Sequence, residues 1–122
     1  MRRTEAKRRA ERRGRRGELI ASLMLLVKGY RILGRRVRTP LGEIDLVALT
    51  PGGVMCFIEV KTRDTIQVAV EALLPRQRAR IARAAETFLA RKPHLKPKGV
   101  RFDTITVTRG RLPRHFPDAW RP

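Results

Sequence analysis

Apolar residues recur at helical spacing between Gly17 and Lys28, where Leu19, Leu23, Leu26 and Val27 share one side and Ile20, Met24 and Leu25 widen it. That density predicts a helix largely buried in the core, ended by Gly29. Tyr30-Arg-Ile-Leu33 begins an extended segment. Ile44 to Leu49 and Val54 to Val60 are short runs rich in β-branched residues, parted by Thr50-Pro-Gly-Gly53. Such runs around a Gly-rich break predict a hairpin. Pro75 opens a second helix running to about Arg91. Ile81, Ala85, Phe88 and Leu89 form its core stripe, while Arg76, Arg80 and Arg83 gather on another side. Pro93 and Pro97 end it, and Phe102 to Val107 reads as a further strand. Beyond Gly110, three prolines and little periodicity predict no element. Helix, strands, helix, strand is the order of an α/β domain with a mixed sheet.

Charge changes the picture most. The 122 residues suffice for one core, yet they carry 29 Lys and Arg against 11 Asp and Glu, a net charge of +18. A compact chain with that excess repels itself unless it meets a polyanion, nucleic acid first and an anionic membrane second. Residues 1–16, with nine basic and two acidic groups, read as a basic arm ahead of a single domain over 17–122. The arm is either disordered, a helix extension that docks on phosphates, or a plain solubilising tail. It has no apolar face to insert into a bilayer, and the stretch from Leu19 to Val27 is far short of the roughly 20 residues of a span. No membrane partner is therefore expected, and the absence of a secretory signal points to the cytoplasm. Cys56 is the only cysteine, which excludes an intramolecular disulfide and a cysteine-based zinc site. His94 and His115 lie in Pro-rich segments and read as surface residues.

Acids occur at three places where the pattern does not ask for them. Asp45 interrupts the run from Gly42 to Ala48, Glu59 interrupts Phe57-Ile-Glu-Val-Lys61, and Glu18 lies in the first turn of the apolar helix. A carboxylate inside such a strand loses solvation and needs a charged partner. If Pro51, Gly52 and Gly53 form a three-residue loop, opposed residues have numbers summing to 104 and Asp45 faces Glu59. A two-residue loop would set Asp45 against Ile58 instead. Opposed Cβ atoms lie roughly 4.5–5.5 Å apart, and like charges there are destabilising. A shared Mg²⁺ or Mn²⁺ would remove the repulsion, since hard carboxylate oxygens suit both ions. Lys61 shares the face of Glu59 and can hold an attacking water or stabilise charge on a phosphate. Two carboxylates, a metal and a lysine compose a phosphodiesterase site. The same spacing also fits a Glu59–Lys61 ion pair on a solvated sheet face, with Asp45 a polar residue at a strand edge.

Gly42-Glu-Ile-Asp45, thirteen residues, then Glu59-Val-Lys61 resembles the PD-(D/E)xK site of restriction-endonuclease-like nucleases. The chain as a whole resembles the YraN-type family, small uncharacterised bacterial proteins predicted to be related to Holliday-junction resolvases. Gly14-x-x-Gly17-Glu18-x-x-Ala21, Gly29-Tyr30-Arg-Ile-Leu33, Phe57-Ile-Glu-Val-Lys61-x-Arg63 and Arg101-Phe-Asp103 carry that likeness in order, over roughly residues 14–120. It implies a restriction-endonuclease-like α/β core, a central mixed sheet flanked by helices. By the same resemblance Asp45 and Glu59 would ligate Mg²⁺ (or Mn²⁺) with the Val60 carbonyl as a third ligand. Lys61 would position the water, and Glu18 would serve as an auxiliary acid; Glu18 equally suits a helix N-terminus on electrostatic grounds. Gln77 stands where a lysine is usual and Arg36 where an asparagine is common. Asp103 reads as the partner of a neighbouring arginine.

Two functions follow from this reading. One is a metal-dependent endonuclease acting on DNA, branched or distorted, whose backbone is held by Arg63, Arg76, Gln77, Arg80 and Arg83. Phosphate contacts of that kind position a substrate without reading its sequence. The other is a non-catalytic nucleic-acid-binding accessory protein of the same fold. DNA is expected over RNA, and only 5% of residues are aromatic, too few for a base-stacking platform. Symmetric cutting of a junction would favour a homodimer.

Overall fold

Thr50-Pro-Gly-Gly53 closes the expected hairpin in its three-residue form. The Gly53 N–H bonds the Thr50 carbonyl at 3.0 Å, and the Thr50 N–H bonds the Val54 carbonyl at 2.9 Å. Gly53 sits at φ 91°, a conformation glycine takes without steric cost. The computed structural model describes residues 2–63 and 75–122. Helix α1 spans Arg2–Val27, followed by strands β1 (Arg31–Thr39), β2 (Gly42–Leu49) and β3 (Val54–Arg63). Helix α2 (Pro75–Arg91) precedes strands β4 (Gly99–Thr108) and β5 (Arg114–Trp120).

The strands form one sheet in the order β1-β2-β3-β4-β5. β3 and β4 run parallel, and all other neighbours are antiparallel. The chain is thus an α/β protein with a mixed five-stranded sheet. α1 and α2 cover opposite faces. On the α1 side Ala21 and Leu25 pack with Leu46, Ala48, Cys56, Ile58, Ile105 and Val107. On the α2 side Ile81, Ala84, Ala85 and Phe88 pack with Ile44, Val47, Met55, Phe57, Phe102 and Trp120. α2 occupies the residues its periodicity predicts, and Pro75 fits the first helical position because its missing N–H would have no helical partner there. Among the described residues no helix is long and apolar enough to cross a membrane.

Three expectations need correction. First, the leucine side of α1 is not its buried side. Leu19, Leu23 and Leu26 are about half exposed and Val27 is 89% exposed, while Gly17, Ala21, Ser22 and Leu25 face the sheet. Small residues let the helix approach closely, and a Cβ at Gly17 would collide with the Thr62 hydroxyl. The helix also begins at Arg2, well ahead of Gly17. Its C-terminus is closed by Gly29 at φ 85° and the Tyr30 N–H on the Leu25 carbonyl at 2.9 Å.

Second, the Pro-rich tail supplies a fifth strand. β5 lies at the sheet edge, where Pro117 costs no ladder bond, and Trp120 packs on Phe102 with ring centroids 4.4 Å apart. Third, His115 is no surface residue. Its side chain is 1% exposed, and Nε2 lies 2.8 Å from Asp103. Lys28 Nζ is 3.0 Å from Nδ1. A lysine can only donate, so Nδ1 accepts and Nε2–H donates to the carboxylate. Arg101 grips the same carboxylate through Nε and Nη2, both at 2.8 Å. The Asp118 N–H adds a fourth bond at 3.0 Å. The expected Asp103–arginine pair is therefore present, within a clamp that ties β5 and the end of α1 to the sheet.

Candidate active site

Each candidate acid owes its place to sheet register. β2 and β3 pair Leu49 with Met55, Ala48 with Cys56, Val47 with Phe57 and Leu46 with Ile58. Those numbers sum to 104, as the three-residue loop requires. The paired rungs end at Leu46–Ile58, and the next step sets Asp45 against Glu59. Here the strands depart from regular pairing, because the Asp45 side chain takes the Val60 N–H at 2.8 Å through Oδ2. The Asp45 and Glu59 carboxyl groups are neighbours, near enough for the Asp45 charge to act on Glu59.

On the other side of β2, Arg35 pairs with Leu46 and Val37 with Ile44, which sets Arg36 across from Asp45. β4 carries the row onward, since Thr104 is level with Glu59 and with Phe116 of β5. Lys61, Thr106 and Arg114 form the next row on this face. The site is therefore a band across the sheet, beginning where β2 and β3 leave their regular ladder.

Electrostatics follow from enclosure. Burial raises the Glu59 carboxyl above its ordinary range, and the Asp45 charge pushes the same way against the pull of Lys61. Burial also raises Asp45, outweighing the Val60 N–H that favours its charged form, with Glu18 adding further repulsion. Lys61 is only 7% exposed, so the alternative of an ion pair on a solvated sheet face does not describe this lysine. A half-buried carboxyl pair beside a buried ammonium lacks one cationic charge for full ionisation.

Glu18 reaches the same neighbourhood from α1. Its Oε2 accepts from Arg36 Nε at 2.6 Å, with the two side chains 15% and 32% exposed. Among the described residues no three His, Cys, Asp or Glu side chains are grouped as a metal cage; Glu18 faces Arg36. Two carboxylates nevertheless fit a hard divalent ion, because Mg²⁺ commonly takes one or two carboxylates and completes its shell with water and substrate oxygens. The Val60 side chain packs towards α1 while its N–H serves Asp45.

Arg63 ends β3 and donates from Nη1 to the Thr62 carbonyl at 2.8 Å. Arg76, Gln77, Arg80 and Arg83 are exposed on α2. The Arg80 backbone lies against Gly42, where an added Cβ would be 3.1 Å from its carbonyl oxygen. The first half of α2 thus lies over the start of β2. Sequence reasoning assigned no role to Arg36, Thr106 or Arg114. Arg36 has φ 50°, uncommon for a residue without a special side chain; the family resemblance marks it only as standing where an asparagine, which tolerates that conformation, is common.

Comparison with known proteins agrees with the resemblance of the whole chain to the YraN-type family. The profile of the "Uncharacterised protein family UPF0102" matches residues 17–107. The chain is 51% identical to the UPF0102 protein of Paramagnetospirillum magneticum over 116 residues, covering 92% of this chain and 89% of the relative. It is 52% identical to a UPF0102 protein of Caulobacter vibrioides over 111 residues, 91% and 88% of the two chains. A Parvibaculum lavamentivorans relative is 49% identical over 113 residues, 93% and 84% of the two. With its profile matched from the sheet-facing glycine of α1 to the end of β4, the chain belongs to the uncharacterised family UPF0102, the YraN-type family.

Proposed function

We propose that this chain is a metal-dependent endonuclease of the PD-(D/E)xK type, built on a restriction-endonuclease-like core, that hydrolyses phosphodiester bonds in DNA. The observation that carries the reading is the meeting of Asp45 and Glu59 beside buried Lys61. A carboxyl pair held together at the cost of its own ionisation is hard to explain by stability alone. The family likeness and the +18 charge support a polyanionic substrate.

Asp45 and Glu59, with the Val60 carbonyl, would hold Mg²⁺ or Mn²⁺, and the ion would supply charge neutralisation for the phosphoryl oxygens. Lys61 orients the attacking water and stabilises charge gathering on the phosphate. Glu18 stands ready as an auxiliary acid. Arg63, Arg76, Gln77, Arg80 and Arg83 hold the backbone on either side of the cut. A branched or distorted substrate would accommodate a site that reads phosphates rather than bases, and symmetric cutting would take two copies.

The test is cleavage of labelled linear, single-stranded and four-way-junction DNA with Mg²⁺, Mn²⁺ or EDTA, comparing wild type with Glu59→Gln and Lys61→Met. Metal-dependent cutting that disappears in both variants is expected. Tight binding without cutting on any substrate would overturn the nuclease and leave an accessory binding protein.

A further inference from the structure

We infer that Arg36 is a phosphate-contacting residue of the site, holding Glu18 through Nε while presenting the rest of its guanidinium to the nucleic-acid backbone. The inference rests on the nucleic-acid reading above but not on turnover. Three observations meet at this residue. Its backbone is left-handed, at φ 50°, within a strand whose pairing with β2 keeps one register on both sides, at Arg35–Leu46 and Val37–Ile44. The Arg36–Asp45 rung is skipped while the register continues, which leaves an uncommon conformation at one position, and such positions gather at ligand clamps. The register sets Arg36 opposite Asp45, in the row that holds the carboxyl pair. Finally, Arg36 is anchored by Nε on Glu18 at 2.6 Å yet remains 32% exposed.

A guanidinium is a planar fork with five N–H donors. One edge can hold a carboxylate while another meets a phosphate, which a lysine, as a point charge, cannot do with the same geometry. An anion seated beside Asp45 and Glu59 would face two acids, and Arg36 is the cation that the adjoining strand places next to them. Glu18 then fixes the direction of the guanidinium, and Arg36 keeps Glu18 from adding its full charge to the carboxyl pair.

The test is equilibrium binding to a labelled DNA duplex in EDTA, over a series of salt concentrations, for wild type, Arg36→Asn, Arg36→Lys and Glu18→Gln. Asparagine tolerates the left-handed backbone, so Arg36→Asn removes the guanidinium with little risk to the fold; a melting curve checks this. Arg36→Asn should weaken binding several-fold and lower the slope of log K against log salt by about 0.9, one phosphate contact. Arg36→Lys should restore the slope but only part of the affinity. Glu18→Gln should keep the slope and bind as tightly as wild type or tighter, having lost a competing anion.

An unchanged slope in folded Arg36→Asn would overturn the inference, as would a Glu18→Gln loss equal to that of Arg36→Asn, which would make Arg36 only a prop for Glu18. Cleavage by wild type with no slope change in Arg36→Asn sinks this inference and leaves the nuclease standing. A reduced slope without cleavage on any substrate does the reverse. No DNA binding by wild type removes both.

Discussion

The Asp45 carboxylate accepts the Val60 N–H at 2.8 Å, so a β2 side chain satisfies a β3 backbone donor just past the last regular rung of the two strands. The same group thus closes the ladder and stands against Glu59. These two duties separate in variants. Asp45→Asn retains a carbonyl oxygen for Val60 and removes the repulsion, so its melting temperature in EDTA should equal or exceed that of wild type. Asp45→Ala leaves a partly buried N–H without its acceptor and should cost about 1 kcal/mol. Both should lose cleavage. If Asp45→Asn melts as low as Asp45→Ala, the repulsion is absent and the carboxylate is purely structural.

The pH dependence of the metal-free protein carries a second signature. Glu59 and Asp45 both titrate above their unfolded values, chiefly through burial and then, for Glu59, the Asp45 charge. The folded state therefore keeps protons that the unfolded chain releases, and stability falls as pH rises through that window. The window opens near the ordinary carboxylate values of about 4 and closes where the folded groups ionise. Melting temperature in EDTA should accordingly decline from mildly acid to mildly alkaline pH. Glu59→Gln should flatten the decline, and Mn²⁺ should oppose it at the alkaline end. A rise with pH over the same range, equal in wild type and Glu59→Gln, would show that the pair is solvated.

The hairpin register and α2 were legible because each is fixed locally. Pro51-Gly52-Gly53 determines the loop length, the loop length determines the pairing of Asp45 with Glu59, and Pro75 marks the start of a strongly periodic helix. What was not legible depends on distant partners. The apolar side of α1 misled because its Leu residues look like core, whereas close approach of Gly17 to Thr62 turns the small residues inward. β5 is held by Asp103 and Trp120, through bonds to His115 and Asp118 and stacking on Phe102, none of which its proline-broken sequence displays. Arg36 is marked only as standing where an asparagine is common; its left-handed backbone falls where the β1–β2 ladder skips a rung, and its pairing with Glu18 depends on α1.

The clamp around Asp103 makes the opposite pH prediction. Burial alone would raise this carboxyl, but bonds from His115, Arg101 and the Asp118 N–H outweigh it and hold the group at about 2. A depressed acid stabilises the fold above its unfolded value, near 3.8, and that contribution is lost as pH falls towards about 2. Asp103→Asn should flatten the acid limb of the stability curve. It should also cost about 1.5–3 kcal/mol at neutral pH, because the partly exposed guanidinium of Arg101 loses its charged acceptor. Because the clamp's bonds run to Arg101, His115 and Asp118 and none to Asp45, Glu59 or Lys61, any Asp103→Asn protein that remains folded should still cleave. Loss of cleavage in a folded variant would instead tie Asp103 to the reaction.

The start of α2 argues for binding over stability. Its first turn contains no acidic residue and holds Arg76, although the positive end of a helix favours anions and penalises cations by a few tenths of a kcal/mol. Arg76, Arg80 and Arg83 are exposed, where substitutions ordinarily change stability by less than about 0.5 kcal/mol. Replacing all three with glutamine should therefore leave the melting temperature unchanged or slightly higher. Binding to duplex DNA should nonetheless weaken, with the salt slope reduced by about 2.7 if each arginine meets one phosphate. The expected slope change is three times that of Arg36→Asn, because three arginines would each meet one phosphate where Arg36 would meet a single one. A triple variant with unaltered slope would place the DNA on another face of the protein, and a clear loss of stability would mean that the arginines serve the helix instead.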